Sequence, residues 1–291
     1  MSFDLHRPAT VTEAVDLAQR FAPTARYVAG GTDTVIQINR KKIDPAHLID
    51  VACLPGMSEI TETADAFALG ALIKYRSIET HPAFRGNLRV LLEAASVVGG
   101  HQVRNIATIG GNIVNASPAA DFVPPLLALD ASLDITGPKG RRSVALRDFI
   151  VGPGRTNLSP VEIVTSIRFA KLPARSATAF LKEGRRRAME ISVVCVAACL
   201  TLEVSASRCA CVRLAIGAAS PKAFRPEQAE GYLIGKPAGN ESFAEAGRLA
   251  AEASSPISDV RASAGYRRDL VAVMVERALT TCLQRIREQN Q

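Results

Sequence analysis

The hydrophobic and polar positions change their period several times along the chain, and each change marks an element. Thr10 and Glu13 form a capping box. Val15, Ala18 and Phe21 then fall on one side, which predicts an amphipathic helix with all three turned inward. Residues 25–29 read as a short buried strand that ends at Gly30-Gly31, and Thr32 or Asp33 stands where it can cap a helix through Val35, Ile36 and Ile38. Residues 47–51 give another strand, and strand, helix and strand at this spacing predict a small parallel unit. From about residue 57 to 167 the pattern changes. Phe67 to Ala71 alternates as a strand, 87–98 reads as helical and leads through a polar turn into 108–117, and 133–136 and 162–169 are again strand-like. The break at 171–176, with Pro173 and small polar residues, predicts a linker. Beyond it, 191–204 and 212–218 are β-branched runs expected to pair antiparallel. Tyr266, Leu270, Val273, Met274, Leu279, Leu283 and Ile286 place an apolar stripe on a closing helix. The fold class is α+β.

Composition narrows this picture. A length of 291 residues favours two domains. Tryptophan is absent and aromatics make up 5%, so the cores must be built from Val, Ile, Leu and Ala. The chain has no apolar run of bilayer length, and the segment from Met1 to Arg7 lacks the pattern of a signal peptide, so a cytoplasmic location without membrane insertion is expected. The net charge of +7 raises the question of nucleic acid. The basic residues are scattered, however, and the densest run, Lys182 to Arg187, is short and has no aromatic platform beside it, so none is expected. Among six cysteines, Cys53 stands alone, Cys195 and Cys199 lie in an apolar run, and Cys209 and Cys211 are two apart. No C-x-x-C pair or histidine completes a metal pattern, so they read as small buried hydrophobes, and no metal site or iron–sulfur cluster is expected on this chain.

Two glycine pairs carry the candidate chemistry: Ala29-Gly30-Gly31-Thr32-Asp33, between a strand and a helix, and Thr108-Ile109-Gly110-Gly111-Asn112. Glycine permits positive φ and close approach of a ligand to the backbone. Successive amides in such turns form concave positive sites for phosphate, and two of them would grip a pyrophosphate from both sides. Neither pair matches G-x-G-x-x-G or the P-loop, which disfavours a standard Rossmann or nucleotide-triphosphate site.

The residues around the loops identify them. The segment from Gln102 through Arg104-Asn105-Ile106-Ala107-Thr108-Ile109-Gly110-Gly111-Asn112 to Ile113, continuing as Asn115-Ala116-Ser117-Pro118-Ala119-Ala120-Asp121, closely resembles the FAD-binding (medium) subunit of the molybdenum hydroxylase family, in particular that of bacterial xanthine dehydrogenases. So do residues 29–33 with Val35-Ile36-Gln37, Thr156 to Pro160, and Lys182 through Ala188-Met189-Glu190-Ile191-Ser192, in the family's order and over nearly the whole chain.

The resemblance implies a two-part FAD-binding domain of the vanillyl-alcohol-oxidase (PCMH) type over 1–173, with parts of about 1–55 and 56–173. A C-terminal domain of antiparallel sheet plus helices, like that of the carbon monoxide dehydrogenase flavoprotein, follows over 177–288. It implies FAD on this chain, with Val28, Ala29, Gly30, Gly31, Thr32, Asp33, Thr34 and Val35 along the pyrophosphate and ribityl side. Thr108, Ile109, Gly110, Gly111 and Asn112 would form the opposing loop. Asp121 matches an acidic residue that hydrogen-bonds the cofactor, and Leu158 and Lys182 match positions near the flavin ring, where a lysine cation would favour the anionic reduced flavin. Animal relatives place an aromatic ring where this chain has Val98. The implied partners are a large molybdopterin-binding subunit and a small subunit with two [2Fe-2S] clusters, in a heterotrimer or a dimer of heterotrimers. Electrons would pass through the clusters to the flavin and on to NAD⁺ or another acceptor. Xanthine or a related N-heterocycle is the expected substrate of the assembly, with a carbon monoxide dehydrogenase-type or other aromatic or aldehyde hydroxylase as the alternative. A self-contained flavin oxidase would need its own placed acid or base, and His6, His47, His81 and His101 do not cluster in sequence with partners for that role.

Overall fold

The computed structural model describes residues 3–186, 189–204 and 207–289. Arg187 and Ala188, which belong to the basic run and to the Lys182–Ser192 block, lie outside the described residues.

The first part runs β1 (Asp4–His6), α1 (Val11–Arg20), β2 (Ala25–Val28), α2 (Thr34–Asn39) and β3 (His47–Asp50). The strands form a parallel sheet in the order β1-β3-β2, with His47 opposite both Asp4 and Ala25. The start of α1 is fixed by its cap: the Glu13 amide donates to Thr10 Oγ1 at 3.1 Å, and the Glu13 carboxylate reaches back to the Ala9 amide at 2.7 Å. Val15 and Ala18 are buried as expected, but Phe21 is not. It ends the helix half-exposed, its ring stacked on those of His6 and His47 with centroids 4.8 and 4.0 Å away. In α2 only Ile38 is buried; Val35 and Ile36 face outward, and the side chain of Asp33 makes no capping hydrogen bond. β1 was not legible because its three residues carry no apolar alternation.

The second part is built on an antiparallel sheet. In chain order come β4 (Ile60–Glu62), β5 (Ala66–Gly70), α3 (Tyr75–Thr80), α4 (Arg89–Val97), α5 (His101–Ile106), α6 (Ile109–Asn115) and α7 (Val123–Ala128). They are followed by β6 (Ser132–Gly137), β7 (Gly140–Ala145), α8 (Leu146–Phe149), the small hairpin of β8 (Ile150–Gly152) and β9 (Arg155–Thr156), and β10 (Ile163–Ala170). The order β4-β5-β10-β6-β7 puts the last strand at the centre, where Phe169 faces Phe67 and Ile167 faces both Leu69 and Leu133. The segment 108–117 is thus largely helical, and the second glycine pair forms part of the first turn of α6.

The third part holds β11 (Ser176–Glu183), β12 (Val194–Leu202), β13 (Cys209–Gly217), α9 (Glu227–Leu233), α10 (Asn240–Glu252) and α11 (Ala264–Gln289). The expected pair β12–β13 is antiparallel, and β11 adds a third strand at its edge, so the predicted linker stops at residue 175. All nine residues of β12 are buried, because both faces of this sheet are covered. Phe180, Cys195, Ala197, Cys199 and Ala215 join the core of the second part, while Ala179, Val196, Ala198, Leu214 and Ile216 pack with α10 and α11. On α11, Met274, Leu279, Leu283 and Ile286 are buried, but Tyr266 and Val273 are exposed. Arg267, Val271, Val275, Ala278 and Cys282 take the inner face instead, which rotates the expected stripe. Four cysteines are buried as read; Cys53 is exposed and Cys211 half-buried.

Candidate cofactor site between two glycine loops

The first loop leaves the end of β2. Gly31 has φ +69°, a conformation that strains any L side chain, and a Cβ there would lie 3.2 Å from Val35 Cγ2. A Cβ on Gly30 would fall 2.0 Å from the carbonyl oxygen of Ile106 and 3.1 Å from Ala107 Cα. The first loop therefore lies backbone to backbone against the end of α5, immediately before the second loop. Only glycine allows that approach. The amides of Gly30, Gly31, Thr32 and Asp33 donate to no acceptor among the described residues, which leaves a row of donors directed by the turn.

The second loop behaves differently. Thr108 caps α6, its Oγ1 accepting from the Gly111 amide at 3.1 Å. The Asn112 amide donates to the Thr108 carbonyl (3.1 Å), that of Ile109 to Ile73 (3.1 Å) and that of Gly110 to Ala71 (2.8 Å). All four leading amides of α6 are thus spent inside the protein, and the expected pair of matching N–H cradles is not present. Gly110 serves close packing instead, since a Cβ there would sit 2.7 Å from the Ala71 carbonyl oxygen. The second loop is a wall that the first loop faces.

Between them lies a cavity of about 400 Å³, within the range of cofactor clefts. Ala29, Gly30, Gly31, Thr32, Asp33 and Thr34 line it from one side, Thr108, Gly110, Gly111 and Asn112 from the other, and Val98 and Leu158 complete it among the expected residues. Val28, Val35 and Ile109 do not reach it: the two valines pack around Gly31 and Ile109 is fully buried. Burial raises the pKa of Asp33 above the usual carboxylate range. Several lining residues were missed from sequence. Gln37 reaches across to Asn115, Nε2 to Oδ1 at 3.3 Å, which joins α2 to α6. Glu162 is held by Arg142 in two hydrogen bonds of 2.8 Å, which pull its carboxyl below the usual range. Tyr75 opens α3 beneath Phe122, their rings 5.2 Å apart and edge to face. No motif announced Tyr75 or Glu162, and Gln37, though it stands in the block that resembles the family, was given no role, since each depends on a partner distant in sequence.

Asp121 and Lys182 lie outside this lining, in a buried ion pair beside it. Lys182 Nζ donates to Asp121 Oδ2 at 2.6 Å, to the Glu190 carbonyl at 2.8 Å and to the Val97 carbonyl at 3.2 Å. Ser192 Oγ donates to the other carboxylate oxygen. Burial raises the Asp121 pKa, and the lysine charge and the hydrogen bonds from Lys182 and Ser192 offset part of that. The knot ties β11 and the 190–192 loop to the end of α4, next to Val98. Lys182 is therefore not the free cation expected from sequence, because its charge is met by a carboxylate.

A glycine-lined cleft with a row of unspent amides, on an α+β scaffold, is suited to a phosphate-bearing ligand. Residues 1–172 match the FAD binding domain in molybdopterin dehydrogenase, and residues 179–282 match the CO dehydrogenase flavoprotein C-terminal domain. The chain belongs to this family of FAD-binding subunits of molybdenum hydroxylases and is an oxidoreductase subunit. It is 32% identical over 278 residues to the putative xanthine dehydrogenase FAD-binding subunit of Escherichia coli (strain K12), covering 94% of each chain. It is 30% identical to the 6-hydroxypseudooxynicotine dehydrogenase complex subunit alpha of Paenarthrobacter nicotinovorans, covering 98% of this chain and 96% of that one. Among solved structures, a chain of carbon monoxide dehydrogenase from Hydrogenophaga pseudoflava superposes with a TM-score of 0.94 at 29% identity, with 98% of both chains covered. The cavity suits FAD on its own terms. The first loop offers donors to a diphosphate, and two residues that line the cavity, Tyr75 and Asn112, carry buried polar atoms, Oη and Oδ1, without a partner among the described residues. No helix among the described residues is long and apolar enough to cross a membrane. Among those residues no group of three His, Cys, Asp or Glu is placed to hold a metal ion.

Proposed function

We propose that this chain is the electron-transfer member of a molybdenum hydroxylase assembly, with FAD in the cleft between residues 29–34 and 108–112. The FAD bound there supplies two-electron redox chemistry divisible into single steps. The chain itself positions and shields. Residues 30–33 donate to the diphosphate, Val98 and Leu158 bound the ring region, and the neutral Asp121–Lys182 pair behind Val98 fixes that wall. The observation that supports this most strongly is the row of four unspent amides facing a wall that only glycine at 30 lets come so close.

Electrons enter from the [2Fe-2S] clusters of a small partner subunit and leave to NAD⁺ or another acceptor, while substrate is hydroxylated on a large molybdopterin subunit. The three chains form a heterotrimer or a dimer of heterotrimers in the cytoplasm. FAD-binding unit 1–173 holds the cofactor, and C-terminal unit 177–288 backs the core beside the cleft. Xanthine or a related N-heterocycle is the substrate class, in keeping with the likeness to the Escherichia coli subunit. A carbon monoxide dehydrogenase-type assembly is the second reading, favoured by the superposition on the Hydrogenophaga chain. Purification through a tag on this chain tests both. A yellow complex with two further chains that bleaches on xanthine supports the first, and bleaching on carbon monoxide supports the second. Bleaching of the isolated chain by a substrate overturns the electron-transfer role.

A further inference from the structure

Three consecutive carbonyls behind the wall of the cleft are each met by a cationic side chain. Lys182 donates to that of Val97, and Arg104 donates through Nη1 to those of Val98 and Gly99, at 3.3 Å each. The first closes α4 and the other two belong to the turn that follows, where a helix leaves carbonyls without partners and its dipole favours a cation. Gly99 carries the chain through φ +50°, and a Cβ there would lie 3.0 Å from Val103, so the turn packs closely on α5. Val98 and Val103 both line the cleft and are both partly exposed. Arg104 lies behind them, 8% exposed. Its Nε stands 3.4 Å from Glu79 Oε2 on α3, an oxygen that also accepts from Arg76 at 3.0 Å, but that Nε makes no hydrogen bond among the described residues. A buried guanidinium is costly unless its donors are met. Here the side-chain hydrogen bonds that Arg104 makes among the described residues all go to the turn.

We infer that Arg104 is a positioning residue for the flavin: anchored on Glu79, it fixes the 98–99 turn and, through that turn, the place of Val98 against the ring. Arg104 itself stays behind the wall and acts only through Val98. This rests on FAD occupying the cleft with its ring beside Val98. Lys182 holds the same stretch from the side of β11, with its charge met by Asp121, so the turn is gripped from two elements that are distant in sequence.

The full chain, freed of flavin, is titrated with FAD, and the absorption bands of the bound flavin are recorded for each variant. Arg104→Met, which fills similar space without the donors, is expected to weaken FAD binding about five- to tenfold and to shift the flavin bands. Arg104→Lys keeps the charge but not the planar fork, and should fall between Arg104→Met and wild type in both readouts. In a Val98→Ala background the Arg104→Met penalty should shrink to about twofold or less, because the side chain through which it acts is gone. If Arg104→Met does not fold, Gly99→Ala displaces the same turn without touching the arginine, and should give the same band shift and the same dependence on Val98. A lowered melting temperature with FAD affinity and flavin bands unchanged marks a purely structural arginine and overturns the inference. So does a penalty that persists in full with Val98→Ala; either result leaves the FAD site in place. A wild-type chain that takes up no FAD overturns both together.

Discussion

At the scale of single residues, the cleft depends on what glycine omits. Gly30 lies so close to Ile106 that one methyl group would force the two loops apart. Gly30→Ala is expected to lower FAD uptake at least about tenfold and stability by about 1–3 kcal/mol, since overpacking here meets backbone rather than a movable side chain. Flavin content after gel filtration and a denaturant titration check this. A second prediction concerns Glu162. The folded chain holds this carboxyl below its usual range through Arg142, so it adds stability above the unfolded pKa. That contribution is lost as pH falls through the lower folded value. Arg142→Met should therefore lower the melting temperature modestly at neutral pH, with the deficit shrinking as pH falls below about 4. The glycine pairs were legible in the sequence because their requirement is local. The fate of the amides of residues 109–112 was not, because Ala71 and Ile73 accept two of them from a distant stretch. The same holds for Lys182, whose partner Asp121 is 61 residues away.

At the scale of elements, patterning worked where one face is buried and failed where two are. α1 was readable from its cap and its buried Val15 and Ala18. β12 shows as an apolar run with no period because both its faces are covered. β11 was missed from its small residues, Ser176-Ala177-Thr178-Ala179, which look like linker yet pack tightly between α4 and α11. The stripe on α11 was misplaced because a charged residue takes an inward position. Arg267 is 1% exposed, and its guanidinium donates to the carbonyls of Val193 (2.5 Å) and Ala218 (2.9 Å) and to Asp259 Oδ1 (2.7 Å). Sequence rules that sort charge outward cannot find such a residue. Arg267→Ala leaves those two carbonyls without their donor and takes one of two arginine partners from Asp259, which keeps Arg261. It is expected to cost about 3–5 kcal/mol in a denaturant titration, whereas Tyr266→Ala on the exposed side should change stability by less than about 0.5 kcal/mol.

At the scale of the whole molecule, the C-terminal sheet is a shared wall: one face completes the core beside the cleft and the other closes on α10 and α11. Thr178 accepts from the Val90 amide at 3.1 Å and donates to the Asn87 carbonyl at 2.6 Å, and Arg285 on α11 pairs with Glu93 on α4. These ties hold α4, and with it Val98 at the cavity, against the third part of the chain. The family and the outline of both parts were legible from motifs spread along the sequence. The asymmetry of the two loops was not, since it emerges only once strands and helices distant in the chain have closed on one another. A crystal structure of the chain loaded with FAD tests the account most directly. It should show the diphosphate on the amides of Gly30, Gly31, Thr32 and Asp33, with α6 keeping its own hydrogen bonds. A diphosphate held chiefly by the amides of residues 109–112, or FAD lodged outside this cleft, would contradict it.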